Sequence, residues 1–208
     1  EKHVATLTND QNIFLQKQAR KTWSFFEHFV VAGDNWLPPD NYQEQPVEQI
    51  AHRTSPTNIG LSLLSNLTAC DFGYITPKQF IERTGNTINT MKRMERYNGH
   101  FYNWYDTESL TPLHPKYIST VDSGNLAGLL LVLRQGLLAI PHQKIQSTQL
   151  AEGLRDTLGV LTDTSNANDI KMLKQITVDL EAITSSKVYT LMEMKKQVEA
   201  LTKNFNLI

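Results

Sequence analysis

Two stretches of the chain concentrate side chains able to hold a ligand. The first reads Gly33-Asp34-Asn35-Trp36-Leu37-Pro38-Pro39-Asp40-Asn41-Tyr42-Gln43-Glu44 and resumes at His52-Arg53-Thr54-Ser55-Pro56-Thr57-Asn58. The second reads Asn98-Gly99-His100-Phe101-Tyr102-Asn103-Trp104-Tyr105-Asp106-Thr107 and resumes at Ser119-Thr120-Val121-Asp122-Ser123-Gly124-Asn125. Prolines stiffen the first, holding its polar groups at fixed positions. Trp36 and Tyr42 offer flat faces there, and Asp40, Asn41, Gln43, Glu44, Arg53 and Asn58 offer hydrogen bonds. Aromatics alternate with amides and carboxylates in the second as well. Sugars present apolar C–H faces edged by hydroxyls, so aromatic platforms flanked by short polar side chains suit them. A metal centre does not fit, because His52, His100, His114 and His142 lack close ligand spacing. No cofactor is implied.

Each residue also has a plainer reading. Asp122, before an apolar run, has the place of a helix N-cap. Asp40 after two prolines can close an Asx-turn. Trp36 and Trp104 can be core residues, and Arg53 can pair with Asp40 or Glu44. Glu95 and Arg96 read as a solvated helix face. The weight rests on two dense loops, not on any one residue.

Helical periodicity dominates what must position these loops. Phe14, Leu15, Ala19, Trp23, Phe26 and Val30 recur at three- and four-residue steps, predicting a helix over about residues 9–31. A second helix is predicted from Pro56, capped by Ser55, to before Asp71-Phe72-Gly73. A third runs from Thr76-Pro77 to a stop at Asn98-Gly99. A fourth begins near Asp122-Ser123 and closes at Pro141. Three more follow at about 147–162, 167–184 and 187–204, making about seven helices, and no segment alternates long enough to need a strand. About two dozen residues separate the first and second helices and the third and fourth, whereas about five separate the second and third. With consecutive helices antiparallel, both long loops meet on one face, as in helical-hairpin (α/α) toroids. The fold expected is all-α, antiparallel hairpins forming part of an (α/α) toroid, with the two long motif-rich loops on one face.

Composition narrows the function classes. The 208 residues carry 20 basic and 21 acidic side chains, a net charge of −1, which gives no footprint for nucleic acid or an anionic membrane. A hydrophobic content of 40% with 20% charged residues argues for a packed globule. The longest apolar run, Leu126 to Leu133, falls short of a bilayer span, so no membrane insertion by this segment is expected. Glu1-Lys2-His3 does not open a signal peptide, and the segment reads as an excised piece. Lone Cys70 falls at the end of an apolar helical stretch, so a buried free thiol and a reducing compartment are expected. Asn66-Leu67-Thr68 matches a glycosylation sequon, but on a helix it reads as a chance match. Of the eighteen aromatic residues only Tyr189 and Phe205 follow Tyr117. That shift suggests residues 1–140 as the toroid portion and 141–208 as a helical hairpin extension, with a coiled-coil-like seam at Leu191, Met194, Val198, Leu201 and Phe205.

Four strings closely resemble the cyclic β-1,2-glucan synthases: Trp36 to Glu44, His52 to Gly60, Gly99 to Thr107 and Ser119 to Gly128. They fall in order within roughly residues 20–130, while residues 141–208 match only as generic helices. Leu129 stands where histidine is expected in many relatives. The resemblance implies a piece of a large bacterial membrane protein, from the start of its middle, glycoamylase-like region with an (α/α)6 toroid, on the cytoplasmic side of the inner membrane. That region is associated with anomer-retaining transglycosylation of β-1,2-glucan. Trp36, Asp40, Glu44, Arg53, Asn58, Trp104, Tyr105, Asp106, Asp122 and Asn125 would then contact the glucan or support residues that do. Retaining chemistry needs two carboxylates about 5 Å apart. The family's pair is expected downstream of this segment, so the chain alone is expected to be inactive. Glu44, Asp106 and Asp122 are the catalytic candidates if it carries a pair of its own, with Asp40 as a further partner across the loops. The competing non-enzymatic reading is a helical scaffold linking the glycosyltransferase module to downstream domains. The partners implied are a β-1,2-glucan chain and other domains of the same polypeptide.

Overall fold

The computed structural model describes residues 6–142, 147–185 and 199. Six α-helices lie among them: α1 (Asn9–Phe29), α2 (Pro56–Asp71), α3 (Pro77–Arg93), α4 (Thr120–Ala139), α5 (Ser147–Thr164) and α6 (Ala167–Ser185). The seventh expected helix, 187–204, and its seam lie outside the described residues.

Side chains at the helix starts satisfy amides the helices leave free. Thr8 and Gln11 exchange side-chain bonds at the start of α1, and Thr76 and Gln79 form the same capping box before α3. Ser55 caps α2 by accepting from the Asn58 amide at 3.2 Å. Ser119, not Asp122, caps α4, accepting the Asp122 amide at 3.1 Å. Asp122 therefore sits inside the first turn with its carboxylate free for another partner.

Three antiparallel two-residue ladders interrupt the helices: β1 (Tyr42–Gln43) with β2 (Gln49–Ile50), β3 (Arg53–Thr54) with β6 (Tyr105–Asp106), and β4 (Arg96–Tyr97) with β5 (His100–Phe101). The expectation of no strands is corrected here. Pairs this short leave no alternating pattern to read. Asn98-Gly99 is likewise the turn of the β4–β5 hairpin rather than a helix stop. Both residues have positive φ, 48° and 84°, as a two-residue hairpin turn requires.

The chain divides into two compact units, one comprising Thr22–Asp71 with Ile75–Lys144, the other Glu1–Lys21, Phe72–Tyr74 and Ile145–Ile208. In the first, α2 and α4 pack closely because glycines face leucines. A Cβ on Gly60 would lie 2.6 Å from Leu129 Cδ1, and one on Gly136 would lie 2.4 Å from Leu67 Cδ2. Arg83 of α3 donates to the Phe26 and Val30 carbonyls at 2.8 and 3.3 Å, closing the end of α1, and to Asn66 Oδ1 at 3.3 Å. Asn66 is thus buried, which removes the sequon as a glycan acceptor. Cys70 is half-buried, and burial with Asp71 pushes its thiol pKa up.

The outward face of α4 is apolar and uncovered: Val121, Leu131, Val132 and Leu138 are exposed, Leu131 by 65%. Thr120–His142 is long and apolar enough to cross a membrane, with mean hydropathy 1.4 and 11% of that window buried. The uninterrupted apolar run within it, Leu126 to Leu133, is far shorter, because Asn125 precedes it and Arg134-Gln135 follow.

In the second unit, α5 and α6 pack around Leu158, Leu173, Ile176 and Leu180. Lys17 pairs with Asp163 at 2.8 Å, Arg20 bonds Thr157 at 2.9 Å, and Tyr74 donates to Asp156 at 3.1 Å and to the Gln16 carbonyl at 3.2 Å.

Candidate carbohydrate site

The first loop begins with a single 3₁₀ turn, Ala32–Asp34, followed by Asn35 and Trp36 with positive φ of 52° and 60°. Conformations so costly for ordinary side chains persist where surrounding bonds fix them. Asn35 donates to the Thr107 and Glu108 carbonyls at 2.9 and 2.8 Å, and its own carbonyl accepts from Thr90 at 2.7 Å. The Trp36 carbonyl accepts from Thr87 at 2.9 Å, and the Arg83 guanidinium lies 5.9 Å from the Trp36 ring centroid. The second loop is thereby tied to the first.

The β3–β6 ladder sets Arg53 opposite Asp106 and Thr54 opposite Tyr105. Arg53 donates to Asp40 Oδ2 through Nη2 at 2.8 Å and Nε at 3.2 Å. Its guanidinium lies 5.1 Å from the Trp104 ring centroid. Asn58 Nδ2 reaches Asp40 Oδ1 at 3.4 Å. One residue earlier, Thr57 donates to Asp122 Oδ1 at 2.5 Å and accepts from Asn125 Nδ2 at 3.2 Å. The first turn of α2 therefore receives one carboxylate from the first loop, Asp40 through Asn58, and one from the first turn of α4, Asp122 through Thr57. Beside it a cavity of about 180 Å³ opens between Gly99, His100 and Phe101 of the hairpin turn and Ser123, Ala127 and Leu130 of α4.

Of the sequence candidates, Asp40, Arg53, Asn58 and Trp104 form one contiguous group, and Asp122 with Asn125 a second. Trp36 and Trp104 are half-buried, neither core residues nor bare platforms. Asp106 sits on the ladder, but its carboxylate is committed to a turn. It accepts from the Ser109 amide at 2.7 Å, the Ser109 hydroxyl at 2.8 Å and the Glu108 amide at 3.1 Å. The Ser109 amide bond is the largest influence holding its pKa below the usual carboxylate value, so it stays ionised and is a poor proton donor. Glu44 is exposed in the β1–β2 turn, away from the bonds that gather the others. Tyr105 is corrected outright. It is fully buried, donates to the Glu95 carbonyl at 2.7 Å and accepts the Tyr102 amide at 2.8 Å. Burial pushes its pKa up to about 12. It braces the loop from inside and offers no face to a sugar.

Sequence reasoning passed over Asp34, His52, Thr57 and Thr107. Asp34 is buried and accepts from the Thr107 hydroxyl and, at 2.7 Å, from His52 Nδ1. The His52 pKa is raised, chiefly by the Asp34 hydrogen bond, against an opposing effect of burial. A carboxylate, a histidine and a threonine spread over three strings carry no local spacing that would reveal them. Among the described residues no three metal-binding side chains gather.

No family model matches the chain. It is 44% identical over 155 residues to the cyclic β-(1,2)-glucan synthase NdvB of Rhizobium meliloti, a match covering 73% of this chain and 5% of that protein. The chain thus spans a small fraction of the relative's length. Its structure resembles crystal structures of candidate glucoamylases from Bacteroides fragilis (TM-score 0.51, 16% identity) and Bacteroides caccae (TM-score 0.54, 19% identity). The matches cover 76% and 72% of this chain and 37% and 36% of theirs. That likeness is one of fold: antiparallel helices forming part of an (α/α) toroid.

Proposed function

We propose that this chain is a segment of a cyclic β-1,2-glucan synthase, contributing glucan-binding loops at the start of its glycoamylase-like, retaining transglycosylation region. The toroid portion, expected over 1–140, is the unit of Thr22–Asp71 with Ile75–Lys144, and residues 141–208 are an extension whose unit also takes in Glu1–Lys21. The parent would be a membrane protein with this region on the cytoplasmic side, and its other domains would be the segment's neighbours. The observation that carries the reading is the convergence of the first loop and the start of α4, where the second loop ends, on the first turn of α2. There Asp40, Arg53 and Asn58 present carboxylate, guanidinium and amide groups with the half-buried Trp104, and Asp122 with Asn125 forms a second polar pair on Thr57. Such a set suits the hydroxyls and C–H faces of an uncharged glucan.

The arrangement argues for binding without turnover. Asp40 is held by Arg53 and Asn58, Asp106 by its turn, and Asp122 by Thr57. None is left as a free nucleophile facing a proton donor. The complete pair is assigned to parts of the parent outside this chain. Titrating the chain with linear β-1,2-glucan while following tryptophan fluorescence tests the reading. A saturable change that weakens about tenfold in Arg53→Ala is expected, on the scale of one lost charge-assisted hydrogen bond. A flat titration would support the alternative, a non-catalytic scaffold, which the uncovered apolar face of α4 independently favours.

A further inference from the structure

We infer that Asp34, His52 and Thr107 form a clamp that sets the spacing of the two loops, with Asp34 and His52 as positioning residues. The clamp stands on geometry. Asp34 Oδ1 accepts both from the Thr107 hydroxyl and from His52 Nδ1 at 2.7 Å. The return link is the Thr107 amide, which donates to the His52 carbonyl at 3.1 Å. One buried carboxylate oxygen thus joins the 3₁₀ turn of the first loop, the residue preceding β3 and the residue following β6. Arg53 and Asp106, directly opposite each other, are the neighbours of His52 and Thr107 on that ladder. A shift at the clamp therefore moves Arg53, and with it the contacts to Asp40 and Trp104.

His52 makes the clamp responsive to protons. Its side chain is 40% exposed while Asp34 is nearly covered, so a proton reaches the imidazole without unfolding the loop. Asp34, Asp106 and Glu108 surround it with negative charge. Arg53 adjoins it in the chain, and Arg93 of α3 reaches the site only through Asn35, at 3.1 Å. The carboxylates raise the folded pKa above the unfolded value, so the charged clamp is fully present below about pH 6.5 and is lost as pH rises through the folded pKa. Neutral His52 can still donate from Nδ1, but without charge assistance. The loops loosen rather than separate.

Hydrogen exchange of the Thr107 amide in the whole chain, corrected for intrinsic pH dependence, reads the clamp directly. NMR titration of His52 accompanies it. Protection in the unaltered protein should fall roughly tenfold between pH 5.5 and 8.5. In His52→Gln it should be low and independent of pH. Asp34→Asn should lower the His52 pKa. Because that variant removes a buried charge, Thr107→Ser and Thr107→Val supply the control. Serine keeps the hydroxyl and should preserve both the protection and its pH profile, whereas valine should lose both. Protection that is flat with pH in the unaltered protein, or unchanged in His52→Gln, would overturn the clamp. The glucan consequence rests on the proposed function: affinity should fall over the same pH window. Exchange that follows the predicted pattern without glucan binding at any pH would support the clamp and remove the glucan reading.

Discussion

At the scale of single residues, the two most buried acids among the described residues do opposite things. Asp34 is engaged by two donors and joins loops. Asp156, 7% exposed, receives Tyr74 at 3.1 Å, yet burial outweighs that bond and raises its pKa. The folded state therefore binds the Asp156 proton more tightly than the unfolded chain does. Its destabilising effect is full above the folded pKa and vanishes below the unfolded value. Asp156→Asn should accordingly raise the urea midpoint at pH 7, and the gain should shrink toward pH 4. A gain of the same size at both pH values would show that charge burial is not the cause. That Arg53 pairs with Asp40 or Glu44 was readable from their nearness in the chain, and the fold selects Asp40. The role of Asp34 was not, because its partners lie 18 and 73 positions away.

At the scale of elements, the glycines of α4 separate two faces of one helix. A methyl group on Gly136 meets Leu67 at 2.4 Å, whereas one on Gly128 meets nothing within 4 Å. Alanine is better than glycine in a helix by about 1 kcal/mol, and overpacking costs about 1–3 kcal/mol. Gly128→Ala should therefore stabilise the chain by about 1 kcal/mol. Gly136→Ala should leave it less stable by about 1 kcal/mol, the propensity gain offset by the clash. Urea unfolding of both variants checks the sign; stabilisation by both would mean that α2 and α4 are not in close contact. The helices were legible because apolar spacing and capping residues act within one turn. The ladders were not, since two-residue strands are specified by partners elsewhere in the chain. Asn98-Gly99 carries a turn signal, but whether it ends a helix or reverses a strand depends on the residues that pair around it.

At the scale of the molecule, length and fold bear on activity together. Solved structures with this fold are matched over little more than a third of their length, and in the proposed reading Asp40, Asp106 and Asp122 are already engaged. Incubation with linear β-1,2-glucan should leave the substrate's length distribution unchanged by mass spectrometry, even where fluorescence reports binding. Appearance of transglycosylated or cyclic products would overturn the assignment of the catalytic pair to other parts of the parent. One consequence concerns the order of assembly. Arg53 and Asp106, aligned on the β3–β6 ladder, are separated by α2, α3 and the β4–β5 hairpin. The hairpin and the helices close through near neighbours and can form early, whereas this ladder must wait until the chain between its strands has collapsed. The Trp104 environment should therefore mature after helical signal is complete in a refolding trace. On a ribosome, the first loop would emerge well before the strand that completes it.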